Sequence, residues 1–326
     1  MIKNNNSDDN ISKFKYDMAI HLAKSKVEDT LSKSPIIIRK YTKHLTFSQG
    51  KYMRAKSLLL CAEDRYGFIH PDAVTLASTI EILHLATLVH DDVIDDAPIR
   101  RGNISLQNKY DKKTAVICGD YLLCAALKMA ASISKKQDYL DMSLPNYMNK
   151  VCLGELNQHI NNGNLNISVY QYLKIIYGKT AALFEASFYA GAYFSGCSQN
   201  QQKMYRKLGY LLGMIFQLID DCIDFELTQD EALKPVQSDY EQGVITLPLI
   251  HALEQNQDFK ARARKGQLTR QEISQAIETS GGLIFSRMVV QRYDKKAKLL
   301  IDSLDETKEK KEKLIAMLDK VTKITR

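Results

Sequence analysis

Leu88-Val89-His90-Asp91-Asp92-Val93-Ile94-Asp95-Asp96 sets four aspartates into an otherwise apolar run, and Phe216-Gln217-Leu218-Ile219-Asp220-Asp221-Cys222-Ile223-Asp224 repeats the spacing much later in the chain. In an α-helix, residues three and four apart share a face, so Asp91 with Asp95, Asp92 with Asp96, and Asp220 and Asp221 with Asp224 are expected to project together. Like charges at that spacing weaken a helix by about a few tenths of a kcal/mol per pair. Stability therefore does not explain the pattern, whereas a bound cation does. Carboxylates suit Mg²⁺, which keeps several waters and shares one or two protein carboxylates with substrate phosphates. Either cluster alone reads equally well as a solvated helix face. Two with matched spacing point to two metal-binding walls and a phosphate-ester substrate.

The pair resembles the aspartate-rich motifs of the trans-prenyl diphosphate synthases. The intervening residues match that family as well: Gly50-Lys51 with Arg54, Arg100-Arg101-Gly102, Gly119-Asp120-Tyr121, Gly178-Lys179-Thr180, and Lys234-Pro235 leading to Thr246-Leu247-Pro248. Within the family, Val89 to Ala97 and Gln242-Gly243 look most like the catalytic subunit of bacterial heptaprenyl diphosphate synthases. Gln49, Ala55 and Val244 depart from common family residues (glycine, proline and lysine).

Composition sets the frame for that resemblance. Six prolines and fifteen glycines in 326 residues leave no linker-like stretch, so residues 11–326 are expected to form one helical domain behind a polar tail at 1–10. The six cysteines, without a C-x-x-C pair, read as buried thiols of a reducing compartment. No signal peptide or membrane span is read, and a cytoplasmic location is expected. Much of the net charge of +7 lies in the mixed-charge helical pattern near the C-terminus, which reads as a solvated face. Nucleic-acid binding is therefore not expected, and membrane contact is at most peripheral.

Taken along the chain, apolar periodicity predicts helices from Ile11 to about Leu31, from Lys51 to Tyr66, from the Pro71-Asp72 start through Asp96, from Thr114 to about Ile133, and from Tyr170 to Gly196. Gly178 inside the last of these implies a kink or a close approach. Lys51 and Arg54 share a helical face near an N-terminus, where an anion is favoured. His84 lies two turns before Asp91, and Gln217 sits on the face of Asp220. His90 and Asp120 are read as structural, and Glu155 with Gln158 as orienting neighbours.

The resemblance implies the roles. Lys51, Arg54, His84 and Arg101 would bind isopentenyl diphosphate, while Arg100, Lys179, Thr180 and Lys234 would face an allylic diphosphate such as farnesyl diphosphate. Asp91, Asp92, Asp95, Asp96, Asp220, Asp221 and Asp224 would hold three Mg²⁺ ions, with Asp91, Asp95, Lys179, Asp220 and Asp221 at the chemistry and Gln217 beside the substrate. The implied fold is all-α: a single helical bundle around a deep central cavity, the isoprenoid synthase fold. The implied product is a long all-trans polyprenyl diphosphate, about heptaprenyl, for a quinone side chain. A homodimer, or a heterodimer with a small regulatory subunit, is expected. Two rivals fit less well. Terpene cyclases of similar fold replace the second motif with one containing Asn, Ser/Thr and Glu, and silent partner subunits typically lose an acidic motif, whereas this chain keeps both.

Overall fold

The computed structural model describes residues 13–46, 50–134, 144–226, 240, 242–266 and 268–323. The expected tail at 1–10 lies outside these residues. The chain divides into two compact units, Met1–Met142 with Ser187–Tyr205, and Ser143–Ala186 with Arg206–Arg326.

The first unit opens with α1 (Tyr16–Ser32), whose buried Ala19, Ala23, Val27 and Leu31 repeat every four residues and so line one face. Two short helices follow, α2 (Ile36–Leu45) and α3 (Met53–Ala62). The third ends four residues earlier than its periodicity predicts, because Glu63 adopts a non-helical backbone and the chain turns at Gly67 (φ 72°). The central helix is α4 (Pro71–Ile94), started by Pro71 and by the His70 ring, which accepts from the Asp72 N–H. It is apolar and long enough to cross a membrane by composition, yet 67% of that window is buried within the protein. A two-stranded hairpin, β1 (Ile99–Arg100) and β2 (Asn103–Ile104), then turns the chain through α5 (Leu106–Lys109) into α6 (Lys112–Ala130).

Helix α6 packs along α4. Gly119 leaves room for the His90 ring in this packing, because a Cβ there would lie 2.3 Å from its Nε2. The same imidazole nitrogen is 3.3 Å from Asp120, so the Gly119-Asp120 pair seats His90, the structural role expected of it.

The second unit opens with α7 (Leu144–Asn161) and α8 (Val169–Ile176), the latter started by a Ser168/Gln171 capping box; of the two helices that follow, the first from Ser187 on and the second up to Tyr205 belong to the first unit. A single π turn, Tyr177–Ala181, leads into α9 (Ala182–Phe194). The long α10 (Gln199–Glu226) carries the second acidic stretch, and Arg287 clamps its end with two bonds to Glu226. The remainder is α11 (Leu247–Gln255), α12 (Gln257–Arg264), α13 (Arg270–Ser280), α14 (Gly282–Asp302) and α15 (Lys308–Thr322). The break expected at Gly281-Gly282 is Gly281 at φ 72°, capping α13 in the left-handed conformation.

The cysteines need correction. Cys61, Cys118 and Cys222 are buried as expected, but Cys197 is partly exposed, and Cys124 and Cys152 are exposed because they sit on the outward faces of α6 and α7.

Candidate active site

In the first unit the basic and acidic residues of α3, α4 and the hairpin meet around one small cavity. Gly50, Tyr52, Glu81, His84 and Arg101 are among its lining residues. The Arg101 guanidinium closes over Gly50: a Cβ there would lie 2.7 Å from it. Burial pushes Arg54 down to about 10, against the opposing charge of Glu81. Glu81 is itself raised by burial, although its carboxylate accepts the Ala55 N–H at 2.9 Å. Burial also lowers Arg101, with Arg100 adding to the effect. Lys51, immediately before Tyr52, is exposed.

Among the described residues, three non-glycine residues have positive φ, namely Tyr52, Asp96 and Arg101; Tyr52 and Arg101 line this cavity, and Asp96 follows the end of α4. Such conformations cost about 1–3 kcal/mol each and persist where the surroundings enforce them. Glu81, one turn before His84, was not singled out from the sequence, although that i, i+3 spacing was there to be read.

Burial, followed by the charges of Arg54, Arg101 and Arg100, holds His84 well below its ordinary value, so the imidazole is neutral. The unfolded chain protonates this residue near its ordinary value, and the folded protein does not. Unfolding free energy is therefore expected to fall as pH drops below about 6.5, with a limit of about 1.4 kcal/mol per pH unit for one proton. Raised Glu81 acts with the opposite sign. The comparison that isolates the histidine is the unfolding pH profile of the wild type against His84→Asn, and identical profiles would refute the assignment.

The first acidic stretch departs from its expected geometry. Helix α4 ends at Ile94, the Asp95 N–H bonds the Asp91 carbonyl at 2.8 Å, and the Ala97 N–H reaches back to the Asp92 carbonyl at 2.9 Å. These bonds place Asp96 at the left-handed position of a Schellman-type end (φ 50°), where glycine is usual. The expected pairing of Asp92 with Asp96 on one helical face is therefore corrected: exposed Asp96 turns to Lys112 at 3.0 Å. Asp92 is buried and held by Arg100, whose Nε lies 2.6 Å from Oδ1. Asp91 and Asp95 remain one turn apart and partly exposed.

In the second unit, Asp221 is buried and doubly held. Its Oδ2 accepts from the Tyr172 hydroxyl at 2.5 Å and its Oδ1 from Gln217 Nε2 at 2.7 Å, while Gln217 Oε1 accepts from Thr180 at 2.6 Å. This chain joins α10 to the π turn. Tyr172 had no sequence signal, because its partner lies 49 positions away. Asp224 is buried, and Asp220 is partly exposed.

Lys179, on the π turn, donates to Glu155 at 3.1 Å, so Glu155 orients it as expected. The close approach expected at Gly178 is to Gly154 of α7. A Cβ on Gly178 would lie 2.7 Å from the Gly154 Cα, and one on Gly154 would lie 2.3 Å from the Lys179 nitrogen. Gly154→Ala should gain about 1 kcal/mol of helix propensity. It should lose more to the backbone collision, for a net destabilisation of about 2 kcal/mol. Urea denaturation measures this, and an unchanged or higher midpoint would rule out the tight crossing.

Lys234 lies outside the described residues. Among the described residues, no three His, Cys, Asp or Glu groups gather closely enough to hold an ion by themselves. The candidate donors Asp91, Asp95, Asp220 and Asp224 are all carboxylates, the hard oxygen ligands that Mg²⁺ takes alongside water and substrate phosphate. The donor set fits that ion.

A family model for polyprenyl synthetase matches residues 35–280. Component 2 of heptaprenyl diphosphate synthase from Bacillus subtilis (strain 168) is 32% identical over 306 residues, covering 90% of this chain and 87% of that protein. The octaprenyl diphosphate synthase of Escherichia coli (strain K12) is 31% identical, covering 79% of this chain and 81% of that one. A crystal structure of polyprenyl synthase from Caulobacter crescentus CB15, complexed with calcium and isoprenyl diphosphate, superposes with a TM-score of 0.85 at 27% identity, covering 94% of each chain. With matched acidic stretches on α4 and α10 and lysines and arginines beside both, this chain belongs to the polyprenyl synthetase family and is a prenyltransferase of the all-α isoprenoid synthase fold.

Proposed function

We propose that residues 11–326 act as one catalytic domain, which extends an allylic diphosphate such as farnesyl diphosphate with isopentenyl diphosphate units. The product is a long all-trans chain of about heptaprenyl length, made in the cytoplasm for a quinone side chain. The observation that carries this reading is the matched state of the two acidic helices. Each has a buried aspartate held by side-chain hydrogen bonds, Asp92 by Arg100 and Asp221 by Tyr172 and Gln217, with partly exposed aspartates beside it, Asp91 and Asp95 on α4 and Asp220 on α10.

Lys51, Arg54 and Arg101 supply positive charge to the diphosphate of isopentenyl diphosphate. Neutral His84 offers a hydrogen bond there without adding charge. Arg100, Lys179, Thr180 and Lys234 serve the allylic diphosphate in the same way, with Gln217 positioning Thr180. Mg²⁺, three ions when substrate is bound, supplies Lewis-acid neutralisation of the departing diphosphate. The fixed cations act where negative charge develops as the allylic carbon–oxygen bond breaks. The isopentenyl double bond then attacks the allylic carbon, and a proton passes to the released diphosphate.

A dimer is supported by exposed apolar stripes on two helices. Ile117 and Leu127 of α6 are 63% and 51% exposed, and Leu153, Leu156 and Ile160 of α7 are 52–68% exposed. The partner is a second copy or a small unlike subunit, as the designation "component 2" of the Bacillus relative suggests.

The test is the purified chain with farnesyl diphosphate, isopentenyl diphosphate and Mg²⁺, with light scattering on the same sample. Elongation that stops when the metal is chelated and returns with Mg²⁺ is expected from a dimer. Cyclised hydrocarbon would point to a cyclase. Inactivity that a second subunit fails to relieve would indicate a silent partner.

A further inference from the structure

We infer that the outer face of α2, together with the β1–β2 hairpin, is a contact surface for an anionic lipid bilayer. Ile36 and Ile37, at the start of α2, are 84% and 83% exposed, more than any other large apolar side chain among the described residues. They share their face with Lys40 and Lys43, both exposed. From Leu31 to Ala62 the chain has seven lysines and arginines and no acidic residue.

The face continues beyond the helix. His44 Nδ1 lies 3.2 Å from the Lys109 ammonium, which can only donate, so the ring proton is on Nε2 and is given to the Ile104 carbonyl at 2.8 Å. That bond ties α2 to the hairpin, where the cross-strand pair Ile99 and Ile104 is 58% and 53% exposed. Between the two apolar ends, Tyr41 and Tyr110 pack edge to face with centroids 4.7 Å apart, and the Lys40 ammonium sits 4.6 Å from the Tyr41 ring. Before α2, Asp29 is engaged with Lys33; around the hairpin, Asp92 is held by Arg100, Asp96 pairs with Lys112 and Asp111 accepts from the Thr114 N–H and hydroxyl, while Asp95 is partly exposed.

Apolar side chains set among lysines and tyrosines match the interfacial layer of a bilayer, where hydrocarbon and anionic headgroups meet. The exposed stripes on α6 and α7 differ from this face. Asp120 interrupts the first, and on the second Lys150 is turned inward to the Tyr177 hydroxyl at 2.8 Å. Apolar exposure coincides with unopposed cations on α2. The contact would bring the hairpin that carries Arg100 and Arg101 to the surface that receives a lipid product.

The test is co-sedimentation of the full chain with vesicles of about one-third phosphatidylglycerol in phosphatidylcholine, and with phosphatidylcholine alone. Binding to the anionic vesicles is expected, weakening as salt rises. Lys40→Ser with Lys43→Ser should lower the partition coefficient about fivefold per lysine. Ile36→Ser with Ile37→Ser should lower it by at least about tenfold while leaving the thermal midpoint unchanged. No binding to anionic vesicles, or binding that survives both pairs of substitutions, would overturn the assignment. A change of oligomeric state in the isoleucine variant would overturn it too, by giving the face to a second copy of the chain.

Discussion

Asp220→Ala is expected to lower turnover by about two to three orders of magnitude at saturating Mg²⁺, and Asp91→Ala by a similar factor, since each removes a carboxylate that would stabilise the departing diphosphate through the metal. The four aspartates of the first stretch should not behave alike. Asp96 stands outside the helix at φ 50°, exposed and paired with Lys112, so Asp96→Ala should change turnover by less than about threefold. Asp92→Ala should act through Arg100. It removes the buried acceptor of a partly exposed Arg100 and leaves the guanidinium without that partner, so loss of stability should accompany loss of activity. Steady-state kinetics on the four single variants, each with its thermal midpoint, separates these cases. Near-normal turnover in Asp91→Ala or Asp220→Ala would remove the basis for two metal-binding walls. A loss in Asp96→Ala as large as that in Asp91→Ala would show that the helix end rearranges on binding.

The contrast between Asp95 and Asp96 shows where sequence reasoning holds and where it stops. Periodicity located α4 and the spacing of its carboxylates, because helical geometry is local and each apolar turn reports its own face. Whether the helix ends at Ile94 or Asp96 depends on a left-handed residue and two backbone bonds, and aspartate at that position gives little warning where glycine would have been plain. Gly178 was readable for the opposite reason. A glycine within a helical run needs an explanation, and Gly154 provides it. The partners of the buried charges were the least readable. Tyr172 meets Asp221 across 49 positions, and Arg100 meets Asp92 only because the hairpin folds back. Such pairs are set by tertiary packing, which a single sequence does not encode in any local pattern. The basic residues of the first unit fall between these extremes. The likeness of Lys51, Arg54 and Arg101 to a family pattern pointed to one site, while the neutral state of His84 and the presence of Glu81 emerged from burial.

Product length should respond to Ala86 more than to any other single position on α4. Ala86 lies five residues before Asp91, about 7.5 Å along the helix at 1.5 Å per residue, and is 2% exposed. It shares a face with His90, four residues on, whose ring rests over Gly119 of α6, so Ala86 looks toward α6 about one turn deeper. On α6, Leu122 lies about one turn beyond Gly119 and is fully buried. Under the proposed mechanism an elongating tail held at Asp91 would pass this level, and alanine would leave it open. The next bulky side chains on α4 are Leu83 and Ile82, about a further turn down, and both are buried. Ala86→Phe should place a ring across the path, shortening the main product from the proposed length of about seven isoprene units to about three or four. The first condensation should stay within about threefold of wild type, because the ring lies below the reacting carbons. The competing outcome is simple overpacking, a loss of about 1–3 kcal/mol of stability with the same product distribution. Reversed-phase chromatography of the dephosphorylated products, read beside the thermal midpoint, separates the two. A variant that unfolds early yet still makes full-length chains, or a wild type that stops at farnesyl diphosphate, would mean that length is set elsewhere. A stable variant with short products would place the floor of the path between α4 and α6.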